Sequence, residues 1–270
     1  MRMDRGLAVI IVMFALAFPA ALPARAGSAW NEIAPALFGD RTIEDGRPVI
    51  DFTAPYRAMD QRAVPIAIDA GFADGRSVTS ITLVIDENPM PVAAIFRFPA
   101  RRERVSLGTN IRLDQPSAAR VVVEASDGRL YMTETYIKAS GIGVCAAPPM
   151  GDQAVAMEHI GEMRLTELTT GDARATRFKR RVQLEISHPQ NTGMQMNQVT
   201  MIYVPLRFVR TVEVRQGDEK LFDLEASMSL SENPRIVFEY QRGVAIDLSV
   251  RVQDTSDAVW QQEFAIESNS

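Results

Sequence analysis

The stretch Ala119–Lys138, ARVVVEASDGRLYMTETYIK, decides the fold. Two runs rich in β-branched and aromatic residues, Ala119–Ser126 and Leu130–Lys138, flank Asp127-Gly128. A tight primed turn needs positive φ, which glycine supplies without steric cost, so this is an antiparallel hairpin. Working outward, Val64–Ile68, Ser80–Asp86, Val92–Phe98 and Arg104–Leu113 show the same character. Asp74-Gly75, Asn88-Pro89 and Gln115-Pro116 supply turn chemistry between them. Six short strands without intervening helices point to an antiparallel sandwich of immunoglobulin type. The cysteine pair that joins the sheets of antibody domains is missing.

A second β-pattern follows further along: Arg177–His188, Val199–Phe208, Arg210–Gln216, Lys220–Ala226, Arg235–Gln241, Ala245–Gln253 and Ala258–Ile266. Seven candidate strands suggest another sandwich, so the chain is all-β with two immunoglobulin-like antiparallel domains. Ahead of the first strand, Ser28–Phe38 reads as a short amphipathic helix with Ser28 as N-cap and Gly39 at its end. Arg41–Arg62 is polar and turn-rich, and Val155–Glu167 fits either a strand or a short helix.

The chain begins as an export signal does. Arg2 and Arg5 precede an unbroken apolar run of 17 residues, Gly6–Leu22, and Ala24-Arg25-Ala26 ends it. A basic start, a short apolar core and an A-x-A site read as a secretory signal peptide cleaved after Ala26, which implies a periplasmic protein. The run contains Pro19 and is short for a membrane span, which needs about 20 residues. Removing residues 1–26 from the 270 leaves 244, with no further apolar stretch able to cross a bilayer. It also removes three Arg and one Asp, so the formal charge moves from −5 to −7. That balance argues against nucleic acid and against anionic membrane surfaces. The expected organisation is signal peptide 1–26, first sandwich 27–138, linker 139–153 and second sandwich 154–270.

The linker holds the sole cysteine. Ala139–Gln153, ASGIGVCAAPPMGDQ, combines small residues, two glycines, Cys145 and the stiff Pro148-Pro149 pair. In an oxidising compartment cysteines usually come in pairs, and a single one cannot form an internal disulfide. It is therefore either a buried small hydrophobe or a thiol kept for chemistry. A segment with so little apolar surface gains little by docking, while ordering costs about 1–2 kcal/mol per residue. The expectation is a flexible linker with Cys145 exposed, reactive, and able to form a disulfide-linked homodimer on air oxidation.

Other candidates are thinner. His159 is the nearest imidazole to Cys145 in sequence, but no third orienting group accompanies it. One Cys and two His lack the ligand spacing of zinc sites. Met194, Met196 and Met201 form a patch whose thioethers suit Cu(I), though adaptable Met side chains also fill turns and strands. Arg177, Lys179, Arg180 and Arg181 suit a solvated strand face or an acidic partner. No Ser-His-Asp order, nucleotide-binding glycine loop or paired carboxylates stand out. The chain reads as something enzymes act on rather than an enzyme, with no stoichiometric metal or organic cofactor.

Several short motifs carry a resemblance. Val84–Pro89 (VIDENP), Pro91–Phe98 (PVAAIFRF), Asn110–Leu113 (NIRL) and Ser126-Asp127-Gly128, with a cysteine shortly after the last strand, resemble SoxY, the substrate carrier of periplasmic sulfur oxidation. Ile186–Gly193 (ISHPQNTG) and Ser231–Phe238 (SENPRIVF) resemble its partner subunit SoxZ. Their order resembles the fused SoxYZ-like carriers associated with quinoprotein dehydrogenases. The resemblance implies two immunoglobulin-like sandwiches and a mobile arm whose cysteine covalently holds a sulfur substrate. Here the arm is Gly141, Ile142, Gly143, Val144, Cys145, Ala146 and Ala147. Val144 and Ala146 stand where the family has glycines, and this cysteine is internal rather than near a chain end. Seven extended steps from Lys138 still span roughly 20–25 Å. His188 carries part of the resemblance and is a candidate for positioning a partner or tuning the thiol, although a His-Pro at a strand end is also ordinary turn structure.

The leading expectation is a periplasmic carrier that presents a sulfur-containing or other thiol-reactive group on Cys145 to partner oxidoreductases. Sulfur-oxidising enzymes, a quinoprotein dehydrogenase or its cytochrome are the partner classes. The alternative is a non-covalent accessory module for such a dehydrogenase or cytochrome.

Overall fold

The computed structural model describes residues 29–140, 143–147, 153–168, 179–243, 245 and 247–266. The signal segment, Ser28, Gly141, Ile142, Pro148, Pro149 and Arg177 lie outside them. Helix α1 (Trp30–Phe38) precedes β1 (Ile43–Asp45), β2 (Ile50–Thr53), β3 (Val64–Gly71), β4 (Val78–Ile85), β5 (Val92–Arg97), β6 (Arg104–Ile111), β7 (Ser117–Ala125) and β8 (Leu130–Ile137). A single 3-10 turn (Val144–Ala146) and helix α2 (Gln153–Glu158) lead to β9 (Met163–Leu168) and β10 (Lys179–Ile186). Then come β11 (Val209–Gln216), β12 (Glu219–Ala226), β13 (Arg235–Gln241), β14 (Asp247–Asp254) and β15 (Val259–Ala265).

The all-β immunoglobulin-like reading holds. The β7–β8 hairpin turns at Gly128 with φ 81°, and Glu124 pairs with Leu130 above it. Inward positions alternate along the strands, as in β3, where Val64, Ile66, Ile68 and Ala70 are buried between more exposed neighbours. Helix α1 starts from Ala29 without a side-chain cap and ends at Gly39, φ 62°.

The two sandwiches are not separate. The strands form one nine-stranded sheet, β1-β8-β7-β4-β5-β12-β11-β14-β15, and one six-stranded sheet, β2-β3-β6-β13-β10-β9. Each sheet therefore crosses from the first half to the second, through β5–β12 in one and β6–β13 in the other. An edge strand exposes unpaired backbone groups, and each half covers such an edge of the other. The side chains follow the backbone across the seam. The rings of Phe96 and Phe222 lie 5.8 Å apart, and those of Phe222 and Phe238 5.3 Å. Buried residues of both halves form one continuous core.

Three segments depart from the sequence reading. Arg41–Arg62 contributes β1 and β2, strands of three and four residues that are too short to show a period. β1 pairs with β8 in the one parallel ladder among the described strands. The Val155–Glu167 segment supplies both a helix and a strand, α2 and β9. Val199–Phe208 is not a strand. The Asn197 carboxamide oxygen accepts from the backbone N–H groups of Val199 (2.9 Å) and Thr200 (3.0 Å), and Met201 takes φ 57°. Such Asx-type bonding turns the chain away from an extended path. Only isolated bridges, Met196–Tyr203 and Asn191–Arg207, remain, and Val199 is 92% exposed.

Candidate functional site

The site lies at one end of the seam and is built from loops of both halves. Beyond β6, Arg112 turns inward and is only 3% exposed. Its backbone N–H donates to the Ser229 carbonyl (2.7 Å), and its guanidinium donates to the carbonyls of Gln190 (3.1 Å) and Met228 (3.0 Å). A cation taken out of water needs such acceptors. Burial holds its pKa below the usual arginine value, with Cys145 and Glu232 acting in the opposite direction. Arg112 thereby ties the first half to two loops of the second.

Asn88 completes the frame. Its amide nitrogen donates to the Arg112 carbonyl (2.7 Å) and the Ser229 hydroxyl (3.0 Å), and its oxygen accepts from Asp114 N–H (2.9 Å). The side chain is buried in a turn, so satisfying three partners fixes the path of Arg112–Asp114.

Asp114 then holds the cysteine. Its backbone carbonyl accepts from Gly143 N–H (3.0 Å), and its carboxylate Oδ1 accepts from Cys145 N–H (2.7 Å). Gly143, at φ 77°, starts the 3-10 turn that carries Cys145. From the second half, the Thr192 hydroxyl donates to the Cys145 carbonyl at 2.5 Å. Cys145 is 1% exposed, and Ala146 beside it faces solvent.

This corrects the expectation of an exposed thiol on a flexible linker. The segment has little apolar surface of its own, but Asp114 and Thr192, 31 and 47 residues away in sequence, supply hydrogen bonds that composition cannot show. Burial, with the nearby Asp114 charge, pushes the thiol pKa up to about 12, partly offset by Arg112. A thiol so raised is protonated near neutrality. Since the thiolate is the nucleophile, docked Cys145 is chemically quiet.

His188 is part of the frame rather than of the thiol chemistry. Its Nδ1 accepts from Gln190 N–H at 3.0 Å, which leaves the proton on Nε2, 3.5 Å from Asp254 Oδ2. Burial lowers its pKa to about 4 despite Asp254, so the ring is neutral. No hydrogen bond or ion pair joins it to Cys145. His159 is exposed and pairs with Glu162 at 2.8 Å, also without contact to the cysteine. Met194 and Met196 are half-buried and Met201 is exposed in the same loop region. Among the described residues no cluster of His, Cys, Asp and Glu is suited to a metal. Of the basic run, Lys179 pairs with Glu239 (3.1 Å) and Arg180 with Glu167 (3.1 Å).

The motifs quoted from the sequence meet around Cys145. Asn88 comes from VIDENP and Arg112 from NIRL. His188 and Thr192 lie in ISHPQNTG, and the Ser231 of SENPRIVF donates its N–H to the Asn110 carbonyl (3.0 Å). The roles of Asn88, Arg112, Asp114 and Thr192 were not read from the sequence. Polar residues clustered beside turn motifs in both halves were the available signal.

Comparison with known proteins agrees with this arrangement. The family model for the sulfur oxidation protein SoxY matches residues 34–145, ending on the cysteine, and that for the sulphur oxidation protein SoxZ matches residues 172–265. The chain is a fused SoxYZ-like carrier. Among solved structures, the sulfur carrier protein SoxY from Chlorobium limicola f thiosulfatophilum is 26% identical over 42% of this chain and 98% of its own, with TM-score 0.34. A superoxide reductase (neelaredoxin) from Ignicoccus hospitalis is 13% identical over 34% of this chain and 80% of its own, with TM-score 0.29. No curated protein matches. SoxY and SoxZ belong to sulfur oxidation as carrier components rather than catalysts, which agrees with the lack of catalytic motifs in the fused chain.

Proposed function

We propose that this fused SoxYZ-like protein is a periplasmic carrier that holds a sulfur-containing group covalently on Cys145. The observation that supports this reading is the place of Cys145. It sits where the SoxY match ends, at the seam with the SoxZ half, retained by one hydrogen bond from each half.

The docked turn is the resting state of the arm, and the 3-10 turn leaves the seam for loading. Two backbone-to-side-chain hydrogen bonds contribute about 1 kcal/mol each, so thermal undocking is accessible. Released, the thiol returns toward the usual thiol range and becomes nucleophilic. Periplasmic redox enzymes load and process the cargo, sulfur-oxidising enzymes or a quinoprotein dehydrogenase with its cytochrome being the candidate partners. A disulfide-linked homodimer forms on this reading only through the undocked population, hence slowly.

Burial of the thiol favours a second reading, in which Cys145 is structural and the fused chain is a non-covalent accessory module. The two separate on co-purification from the native periplasm. A carrier loses its redox partners when Cys145→Ser replaces the wild type. An accessory module retains them.

A further inference from the structure

The seam has a second end, and the sheets leave it open. β3 and β6 pair along their full length, from Val64–Ile111 to Gly71–Arg104, and β10 and β13 pair from Lys179–Gln241 to Glu185–Arg235. Between these two ribbons, β6 and β13 pair at only two positions, Thr109–Ile236 and Gly108–Val237. At Gly108 the strands touch, since a Cβ there would lie 3.2 Å from the Val237 Cβ and 3.3 Å from the Ile66 carbonyl oxygen. From that apex they part toward Arg104 and Gln241. The result is a slot of about 400 Å³, within the usual range for small-molecule sites. It lies at the far end of β6 from the cysteine, and the eight residues of that strand span about 23 Å.

The lining is of two kinds. The floor is the aromatic cluster of the merged core, with Phe98, Phe222 and Phe238, beside Leu107. The mouth is basic. Arg101 pairs with Glu103, Arg102 with Glu219 and Lys179 with Glu239. Arg104 also lines the slot, and its guanidinium has no hydrogen bond or ion pair among the described residues. The chain as a whole carries a formal charge of −5, so an unmatched cation above an apolar slot stands out against the rest of the molecule.

We infer that this slot binds an organic anion with an apolar body, its acidic group paired with Arg104 and its body on the Phe222–Phe238 floor. Apolar walls contribute affinity by burial, and the guanidinium selects charge and orientation. This site is independent of the carrier reading of Cys145.

The test is fluorescence titration of the mature chain with anilinonaphthalene sulfonate and with uncharged phenylnaphthylamine, repeated on Arg104→Gln, Arg104→Lys, the control Arg210→Gln, and Cys145→Ser. The sulfonate is expected to bind saturably and more tightly than the amine. Arg104→Gln should weaken it about tenfold, the loss of one charge-assisted hydrogen bond. Arg104→Lys should restore most of the affinity, and Arg210→Gln and Cys145→Ser should match the wild type. The inference is overturned if the sulfonate fails to saturate, if Arg104→Gln binds it as tightly as the wild type, or if the uncharged amine binds equally well. Adsorption to the exposed 199–206 loop would be indifferent to Arg104 and is therefore among the overturning results.

Discussion

The hydroxyl of Thr192 donates to the backbone carbonyl of Cys145 at 2.5 Å, so the SoxZ half directly holds the cysteine that ends the SoxY half. With the Asp114 contact on the other side, this makes thiol exposure a property of the seam.

Loosening either contact should therefore raise thiol reactivity without unfolding the protein. Thr192→Val removes one hydrogen bond of about 1 kcal/mol, so native labelling by a disulfide reagent should accelerate about fivefold. Asp114→Ala removes a hydrogen bond and a nearby negative charge, and should accelerate labelling further. Rates equal to wild type in both variants, with unchanged circular dichroism, would refute the docking account.

The pH dependence of labelling carries the same information. An exposed thiol has a pKa near 9.0, and its labelling rate levels off above that pH. Docked Cys145 is raised to about 12, so the docked state binds the proton more tightly than the released state. Docking is fully stable below pH 9 and weakens as pH rises toward 12, by about 1.4 kcal/mol per unit. The native labelling rate should keep climbing past pH 9 in the wild type. A plateau at pH 9 would mean the thiol is already free.

His188 gives a seam transition of opposite sign. Its folded pKa of about 4 lies below the 6.5 of a free imidazole, so the unfolded chain binds the proton first. Stability is fully present above pH 6.5 and is lost as pH falls toward 4, by about 2–3 kcal/mol in total. His188→Asn, whose oxygen can still accept from Gln190 N–H, should be less stable at pH 7 but show a flatter acid limb in urea unfolding. An unchanged acid limb would show that His188 is not the titrating group.

How far these features could be read in advance depends on whether their causes are local. Asp127-Gly128 and the alternation of β3 are local, and both appear in the sequence as they do in the fold. The SoxY and SoxZ motifs marked the right turns but not what the side chains there hold. Docking of Cys145 was illegible because its partners lie 31 and 47 residues away and act through backbone groups common to every residue. Val199–Phe208 misled for the converse reason. Its β-branched and aromatic residues suit a strand, but the Asn197 side chain caps the local backbone N–H groups and bends the chain. The merging of the sheets depends on Gly108 meeting Val237, a contact between halves that no single-strand period encodes.

Continuous sheets imply continuous unfolding. The two halves should lose structure in a single transition, and Phe222→Ala, which removes the ring in contact with Phe96, Phe98 and Phe238, should cost about 3–5 kcal/mol. Two resolved transitions in guanidinium, or a half-chain covering 154–270 as stable as the whole, would contradict the merged architecture.

A buried ion pair pins the outer part of the SoxY half. Arg120 donates to both Asp86 oxygens (2.9 and 3.0 Å) with both side chains nearly inaccessible, and the Trp30 ring lies 4.9 Å from its guanidinium carbon. Arg120→Met strands a buried carboxylate and should cost about 3–5 kcal/mol, whereas adding Asp86→Leu should recover much of the loss. Thermal unfolding of the single and double variants checks this, and equal stability of the single variant and wild type would contradict it.

The carrier account is tested most directly by the intact mass of the mature chain isolated from its native periplasm without reductant. The account predicts a species heavier than the mature polypeptide, its added mass confined to the peptide containing Cys145 and absent from Cys145→Ser. An unmodified mass under every condition in which sulfur substrates are oxidised would contradict it and leave Cys145 as a structural residue of the seam.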